Sequence, residues 1–109
     1  MQIDIAQNEG TSIARLNDVL DETAREAFES QLHPLITERG KRLILDLSAV
    51  PRTTSSGLGL LVTLAARANT KGANVVLAAA TPFVRSVIGV TRLDQFFAMA
   101  PTVESAIRE

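Results

Sequence analysis

Residues 43–61 read LILDLSAVPRTTSSGLGLL. The first half is a short, nearly continuous apolar run with one carboxylate, Asp46, set inside it, the pattern of a strand covered on both faces. An acid in that position needs partners, and the backbone N–H groups of the loop that follows are the nearest donors. The second half opens a helix over 56–69 that carries Leu58, Leu61, Val62, Leu64, Ala65 and Ala68, and the Lys71-Gly72 turn ends it. Strand, short loop and helix make half of a strand–helix–strand unit, and ANVVLAAA (73–80) supplies the next buried strand.

The pattern continues in both directions. Upstream, Ile3 and Ile5 alternate with polar residues as a first strand, and TSIARLNDV carries Ile13 and Leu16 as a second, joined by a hairpin across Asn8-Glu9-Gly10. Ala24, Ala27, Phe28, Leu32, Leu35 and Ile36 then recur at helical spacing, with acids in the first turn, so an amphipathic helix is expected over 21–38, disturbed near its end by Pro34. Downstream, Thr81-Pro82 fits an N-cap followed by proline at the first helical position, opening a helix to about Gly89. FFAMA (96–100) reads as a last short strand with Phe96 and Phe97 in the core, and Thr102 begins a terminal helix. The expected class is α/β, one domain over 1–109 in the order ββαβαβαβα, with a central mixed, mostly parallel sheet wound by right-handed crossovers.

Composition narrows the function. The 109 residues are 46 % hydrophobic and 21 % charged, a folded domain with little room for an enclosed active-site cavity. There is no cysteine for a disulfide, thiolate zinc site or thiol nucleophile, and the one histidine, His33, cannot build a multi-histidine metal cluster and reads as a solvated helix-end residue. No apolar run approaches the roughly 20 residues that cross a bilayer, and MQIDIAQNEG lacks the basic and apolar regions of a signal peptide, so the cytoplasm is the expected compartment. Charge is uneven: residues 1–46 hold nine acids against five Lys and Arg, whereas 47–93 hold five Lys and Arg and no acid. Five cations, Arg85 and Arg92 among them, are too dispersed for a nucleic-acid groove, and without Trp or Tyr there is little to stack on bases.

The hydroxyl cluster Thr53, Thr54, Ser55, Ser56 lies on a loop leaving the C-terminal end of a strand, where α/β folds place their functional groups. The free N–H groups at the helix start favour an anion, and Gly57 and Gly59 remove side chains that would hold a ligand or partner backbone away. Hydroxyls here can cap the helix, bind phosphate or receive it. Gly57 and Gly59 followed by Val62 do not make a dinucleotide fingerprint, no lysine makes a Walker loop, and Thr53 stands where a nucleophile elbow needs glycine. No base and orienter accompany a serine nucleophile. One hydroxyl, Ser55 or Ser56, accounts for an N-cap; three remain.

LILDLSAVPRTTSSGLGLL resembles the signature of STAS domains of the anti-sigma factor antagonist type, in which a buried strand ending D-L-S is followed by a loop and D-S-S-G-L-G. DVLD (18–21) resembles the family's G-x-L-D, and KGANVVLAAATPFVRSVIGVTRLDQFF (71–97) its later segment, so the likeness spans most of 13–98. The resemblance implies a switch without a cofactor and without catalysis of its own. The family's serine falls on Ser55, the expected phosphorylation site, with Asp21, Thr54, Ser56, Gly57 and Gly59 as partner-binding or loop-organising residues. The implied partners are an anti-sigma factor that is also a serine kinase of the histidine-kinase-like ATPase fold, and a serine phosphatase; unphosphorylated antagonist binds the former and frees a sigma factor. No direct nucleic-acid contact or membrane insertion is implied. Thr54 stands where the family has Asp, and Asp18 where it has Gly. Thr54 and one neighbouring serine are expected to organise the loop while Ser55 points outward. The same fold also serves as a regulatory subunit of ABC-type lipid transporters or anion permeases, and a small-molecule sensor using the helix start is a third possibility; co-purified partners distinguish the three.

Overall fold

A computed structural model describes residues 1–108. Its five strands, β1 (Gln2–Asn8), β2 (Thr11–Asn17), β3 (Arg42–Asp46), β4 (Asn74–Ala78) and β5 (Ala98–Ala100), form one sheet in the order β1-β2-β3-β4-β5. Only the β1–β2 hairpin is antiparallel; the other three pairings are parallel, giving the mixed, mostly parallel sheet expected. Each parallel connection steps one strand in the same direction, so crossovers of one hand lay their helices on one face. Alternation along the strands shows it: Leu43, Leu45, Val75 and Leu77 point into the large core with Leu58, Leu61, Leu64, Val84 and Ile88. Ile44, Val76 and Ala78 point the other way and are covered by α4 (Val103–Arg108) through Ala106. Arg42 ties that helix down by donating from its guanidinium to the carbonyls of Ala106 and Ile107.

The helix expected over 21–38, here α1, is not uniform. A 3-10 turn (Glu22–Ala24) leads into a single α turn (Arg25–Ala27), a wide π turn (Phe28–Leu32) and a second 3-10 turn (His33–Ile36). Two causes act together. Pro34 has no N–H and its ring crowds the carbonyl four residues back, which disrupts the regular ladder just before it. The residues that reach the core, Ala24, Phe28, Leu32 and Ile36, are spaced by four. Four residues overshoot an α-helical turn by about 40°, and the wider turn brings the line back onto the sheet.

α2 (Ser55–Lys71) is the long central helix, closed by Gly72 at φ 77°, whose N–H bonds back to the Ala68 and Asn69 carbonyls. α3 (Pro82–Val90) starts at the expected proline, but Thr81 does not cap it: its hydroxyl donates to the Val50 carbonyl at 2.8 Å. The strand expected over FFAMA is confined to β5. Phe96 and Phe97 precede it, both amides bonding the Leu93 carbonyl after a 3-10 turn (Leu93–Gln95). Phe97 is buried, whereas Phe96 is exposed and meets it edge-on at 5.2 Å, which corrects the expectation that both lie in a core strand.

Candidate functional site

The loops leaving β2 and β3 run side by side beyond the sheet. Asp18 N–H donates to the Ala49 carbonyl and Leu20 N–H to that of Arg52, each at 3.1 Å, and Thr54 N–H returns to the Leu20 carbonyl at 3.0 Å. Leu20 and Thr53 thereby extend the parallel pairing as an isolated bridge. The two loops thus form one braced platform at the C-terminal end of β2 and β3, and α2 rises from it.

Two of the four hydroxyls hold this platform. Thr53 is buried, and its hydroxyl donates to the carbonyls of Leu20 (3.1 Å) and Thr54 (3.0 Å). Thr54 has the extended backbone of an N-cap (φ −93°, ψ 170°) and its hydroxyl accepts from Gly57 N–H at 3.1 Å. The cap is therefore Thr54 rather than Ser55 or Ser56, and the loop-holding pair is two threonines, not a threonine and a serine. Ser55 and Ser56, the first residues of α2, are both exposed. The first amides of a helix have no intrahelical acceptor, so the end of the helix dipole faces solvent beside the Ser55 hydroxyl.

The two glycines differ. A Cβ on Gly57 would lie 2.1 Å from the Leu20 carbonyl oxygen and 2.8 Å from the Thr53 hydroxyl, so its missing side chain lets α2 close onto the platform. A Cβ on Gly59 would meet nothing within 4 Å; Gly59 is exposed, one turn beyond Ser55, on the outer side of the helix.

Asp21 follows the Leu20 bridge directly. Its Oδ1 accepts from the Thr23 hydroxyl and from Thr23 N–H (3.0 Å), capping the 3-10 turn of α1. Those two bonds, the hydroxyl first, hold its carboxyl below the ordinary carboxylate value, so it is an anion near neutral pH. Asp18 adopts φ 91°, the left-handed backbone that glycine takes without strain, and compensates by accepting from Val19 N–H at 2.7 Å. Asp46 is half-buried and accepts from Ser48 N–H at 3.0 Å in the loop that follows it.

Thr53, expected only as one of four hydroxyls, is a main brace of this end of the molecule, and Thr81, expected to cap α3, instead fastens that helix to the platform. Phe83, 49 % exposed in the first turn of α3, was not singled out from the sequence. Helical periodicity gives the signal for it: Val84 and Ile88 mark the buried line, and Phe83 is turned about 100° from that line. His33 lies elsewhere. It is half-buried rather than solvated, 3.3 Å from the Arg67 guanidinium across a 370 Å³ groove between α1 and α2. Burial first, then the Arg67 charge, hold its imidazole below the ordinary value, with Glu29 pulling the other way. Arg85 and Arg92 are exposed. Among the described residues no group of His, Asp or Glu could hold a metal ion, and no helix is long and apolar enough to cross a membrane.

A family model described as the STAS domain matches residues 2–106. A Bordetella bronchiseptica protein, BtrV, described as an anti-sigma factor antagonist, is 26 % identical over 106 residues, covering 97 % of this chain and 91 % of its own. A crystal structure described as an anti-sigma factor antagonist from Thermotoga maritima superposes with a TM-score of 0.86 at 21 % identity, covering 97 % of this chain and 92 % of that one. The anti-sigma factor antagonist SpoIIAA is similar in two states. Its unphosphorylated form gives a TM-score of 0.76 at 23 % identity, covering 97 % of this chain and 93 % of that one. The phosphorylated form, from Bacillus, gives 0.72 at 22 % identity, covering 98 % and 97 %.

Proposed function

The chain belongs to the STAS domain family, and from that premise we propose that it is an anti-sigma factor antagonist whose binding to an anti-sigma factor is switched by phosphorylation of Ser55. The observation that carries the reading is the division of labour among the four hydroxyls. Thr53 and Thr54 are committed to the platform, and Ser55 presents an uncommitted hydroxyl on open surface at the start of a 17-residue helix. A phosphate there adds about −1.5 to −2 charge and three acceptor oxygens. Within the domain this is tolerated, because the helix N-terminus stabilises an anion by roughly 0.3–1 kcal/mol. Against a partner fitted to a hydroxyl it is bulky and charged, and Asp21 on the same platform already contributes one anion.

The chemistry on Ser55 belongs to the partners, an anti-sigma factor that is also a serine kinase of the histidine-kinase-like ATPase fold, and a phosphatase that restores the hydroxyl. This chain acts in the cytoplasm as the bound surface: Ser55, Ser56 and Gly59 along the outer start of α2, with Asp21 beside them and the exposed Phe83 in the first turn of α3 at the same end of the sheet. Gly57 and Thr54 keep that surface in place. That SpoIIAA has been solved with and without phosphate supports the reading, as does the likeness to BtrV. The test is incubation with the cognate kinase and ATP followed by peptide mapping, with calorimetry on Ser55→Ala and Ser55→Asp. One phosphate on Ser55, binding retained by the alanine and weakened at least tenfold by the aspartate, is expected. Phosphate on Thr53 or Thr54 alone, or equal affinities for all three proteins, removes the switch.

A further inference from the structure

The sheet has two free edges, and they are built differently. β5 is three residues long and is followed at once by Pro101, both devices that blunt an edge against further pairing. β1 is seven residues long, contains no proline, lysine or arginine, and pairs with β2 residue for residue without a bulge. Its outer edge is a template for another strand.

Which backbone groups face outward follows from the hairpin. Glu9 and Gly10 both have positive φ (49° and 83°), the signature of the two-residue turn that makes its flanking residues, Asn8 and Thr11, a hydrogen-bonded pair. Such pairs alternate along an antiparallel ladder, so Ala6, Asp4 and Gln2 also bond to β2. The N–H and C=O groups of Ile3, Ile5 and Gln7 therefore point away from β2. Ile5, in the middle, is 38 % exposed.

We propose that β1 pairs with β1 of a second copy, antiparallel about a two-fold axis through Ile5, joining the two sheets into one. In this register all seven residues are used. Ile3 exchanges hydrogen bonds with Gln7 of the partner subunit, Ile5 with Ile5 of the partner subunit, and Gln7 with Ile3 of the partner subunit. The exposed Ile5 side chains cover each other on the axis. Asp4 faces Ala6 of the partner subunit rather than another acid; within its own chain it lies across from Arg15 in the ladder and accepts from Asn17 Nδ2 at 3.0 Å.

The neighbouring registers are worse. Moving the axis to Asp4 sets two carboxylates directly opposite one another, a destabilising pair. Moving it to Ala6 leaves Gln2 and Ile3 without strand partners and uncovers Ile5. The strand is thus self-complementary in one register, which favours a second copy over a foreign strand. The axis lies perpendicular to the sheet, so the two Ser55 platforms point to opposite ends of the joined sheet and both remain open; the proposal does not depend on the role of Ser55.

Sedimentation equilibrium from about 10 µM to about 1 mM is the first test. The mass should rise from 11.7 kDa towards twice that value. Ile5→Lys, which opposes two ammonium groups on the axis, should stay monomeric throughout with an unchanged circular dichroism spectrum. Ile5→Pro removes the outward-facing N–H and the side chain on the axis while sparing every β1–β2 hydrogen bond, as an edge strand tolerates, and should do the same, keeping the test open if the lysine variant fails to fold. Register is tested by cysteines in a chain that has none. Asp4→Cys combined with Ala6→Cys should oxidise to a covalent dimer, because opposed residues of a non-hydrogen-bonded pair lie about 4.5 Å apart. Asp4→Cys alone should not. A monomer at every concentration, a dimer indifferent to both Ile5 variants, or cross-linking by Asp4→Cys alone overturns the proposal.

Discussion

Replacing Gly57 with alanine tests how α2 is seated. In an ordinary helix interior the exchange is favourable by about 1 kcal/mol. Here the new methyl would lie 2.1 Å from the Leu20 carbonyl oxygen and 2.6 Å from its carbon, so helix and platform must separate by more than 1 Å. The same oxygen accepts from Thr54 N–H at 3.0 Å and from the Thr53 hydroxyl at 3.1 Å. Separation on that scale removes both bonds, at about 1 kcal/mol each, and adds roughly 1–3 kcal/mol for forcing a methyl into a filled space. After the helix-propensity gain, Gly57→Ala should destabilise by about 2–4 kcal/mol. Gly59→Ala is the internal control: its methyl meets nothing within 4 Å, so that variant should gain about 1 kcal/mol. Urea denaturation followed by circular dichroism measures both, and thermal midpoints should separate by roughly 10 °C or more. If the two alanines fall within about 0.5 kcal/mol of each other, α2 is not seated against the Leu20 carbonyl and the bracing of the Ser55 platform is wrong.

Thr54→Ala should lose about 1 kcal/mol with the N-cap while Thr54→Asp retains it, as read by urea midpoints; equal losses for the two would show that the hydroxyl is not capping. Asp18→Gly should raise the urea midpoint, a gain of about 0.5–1 kcal/mol from removing a side chain from left-handed backbone; no gain would show that Asp18 is not strained there. His33 titrates below its ordinary 6.5 in the folded chain, so the unfolded chain binds its proton first on acidification. Stability should therefore be complete above 6.5 and fall as the pH drops from there through the folded-state value, and His33→Gln should flatten that part of the stability–pH curve; an unchanged curve would place the titration elsewhere.

The parallel sheet was legible because buried strands and amphipathic helices leave periodic marks, and LILDL, NVVLA and the leucines of α2 carry them in adjacent residues. What the sequence hid depends on distant groups. The periodicity of 24–36 reads as one helix, but whether each turn is tight or wide depends on how Ala24, Phe28, Leu32 and Ile36 meet the sheet and on Pro34. Phe96 and Phe97 are chemically the same; only the turn at Leu93 decides which of them is buried.

The hydroxyl cluster shows the same division at the scale of one loop. A cap is a local event, three residues wide, so a hydroxyl just before the helix is foreseeable at Thr54 or its neighbours. Thr53 is different, because its acceptor is the carbonyl of Leu20, 33 residues away, and the need for that bond arises only when the β2 and β3 loops lie side by side. Burial of Thr53 also explains why the platform needs Gly57: the hydroxyl, the Leu20 carbonyl and the missing Cβ occupy one small volume, and enlarging any of them displaces the others. Four adjacent hydroxyls therefore do two kinds of work, and the boundary between them falls between Thr54 and Ser55. Up to Thr54 the chain spends its polar groups on itself, and from Ser55 onward it leaves them exposed.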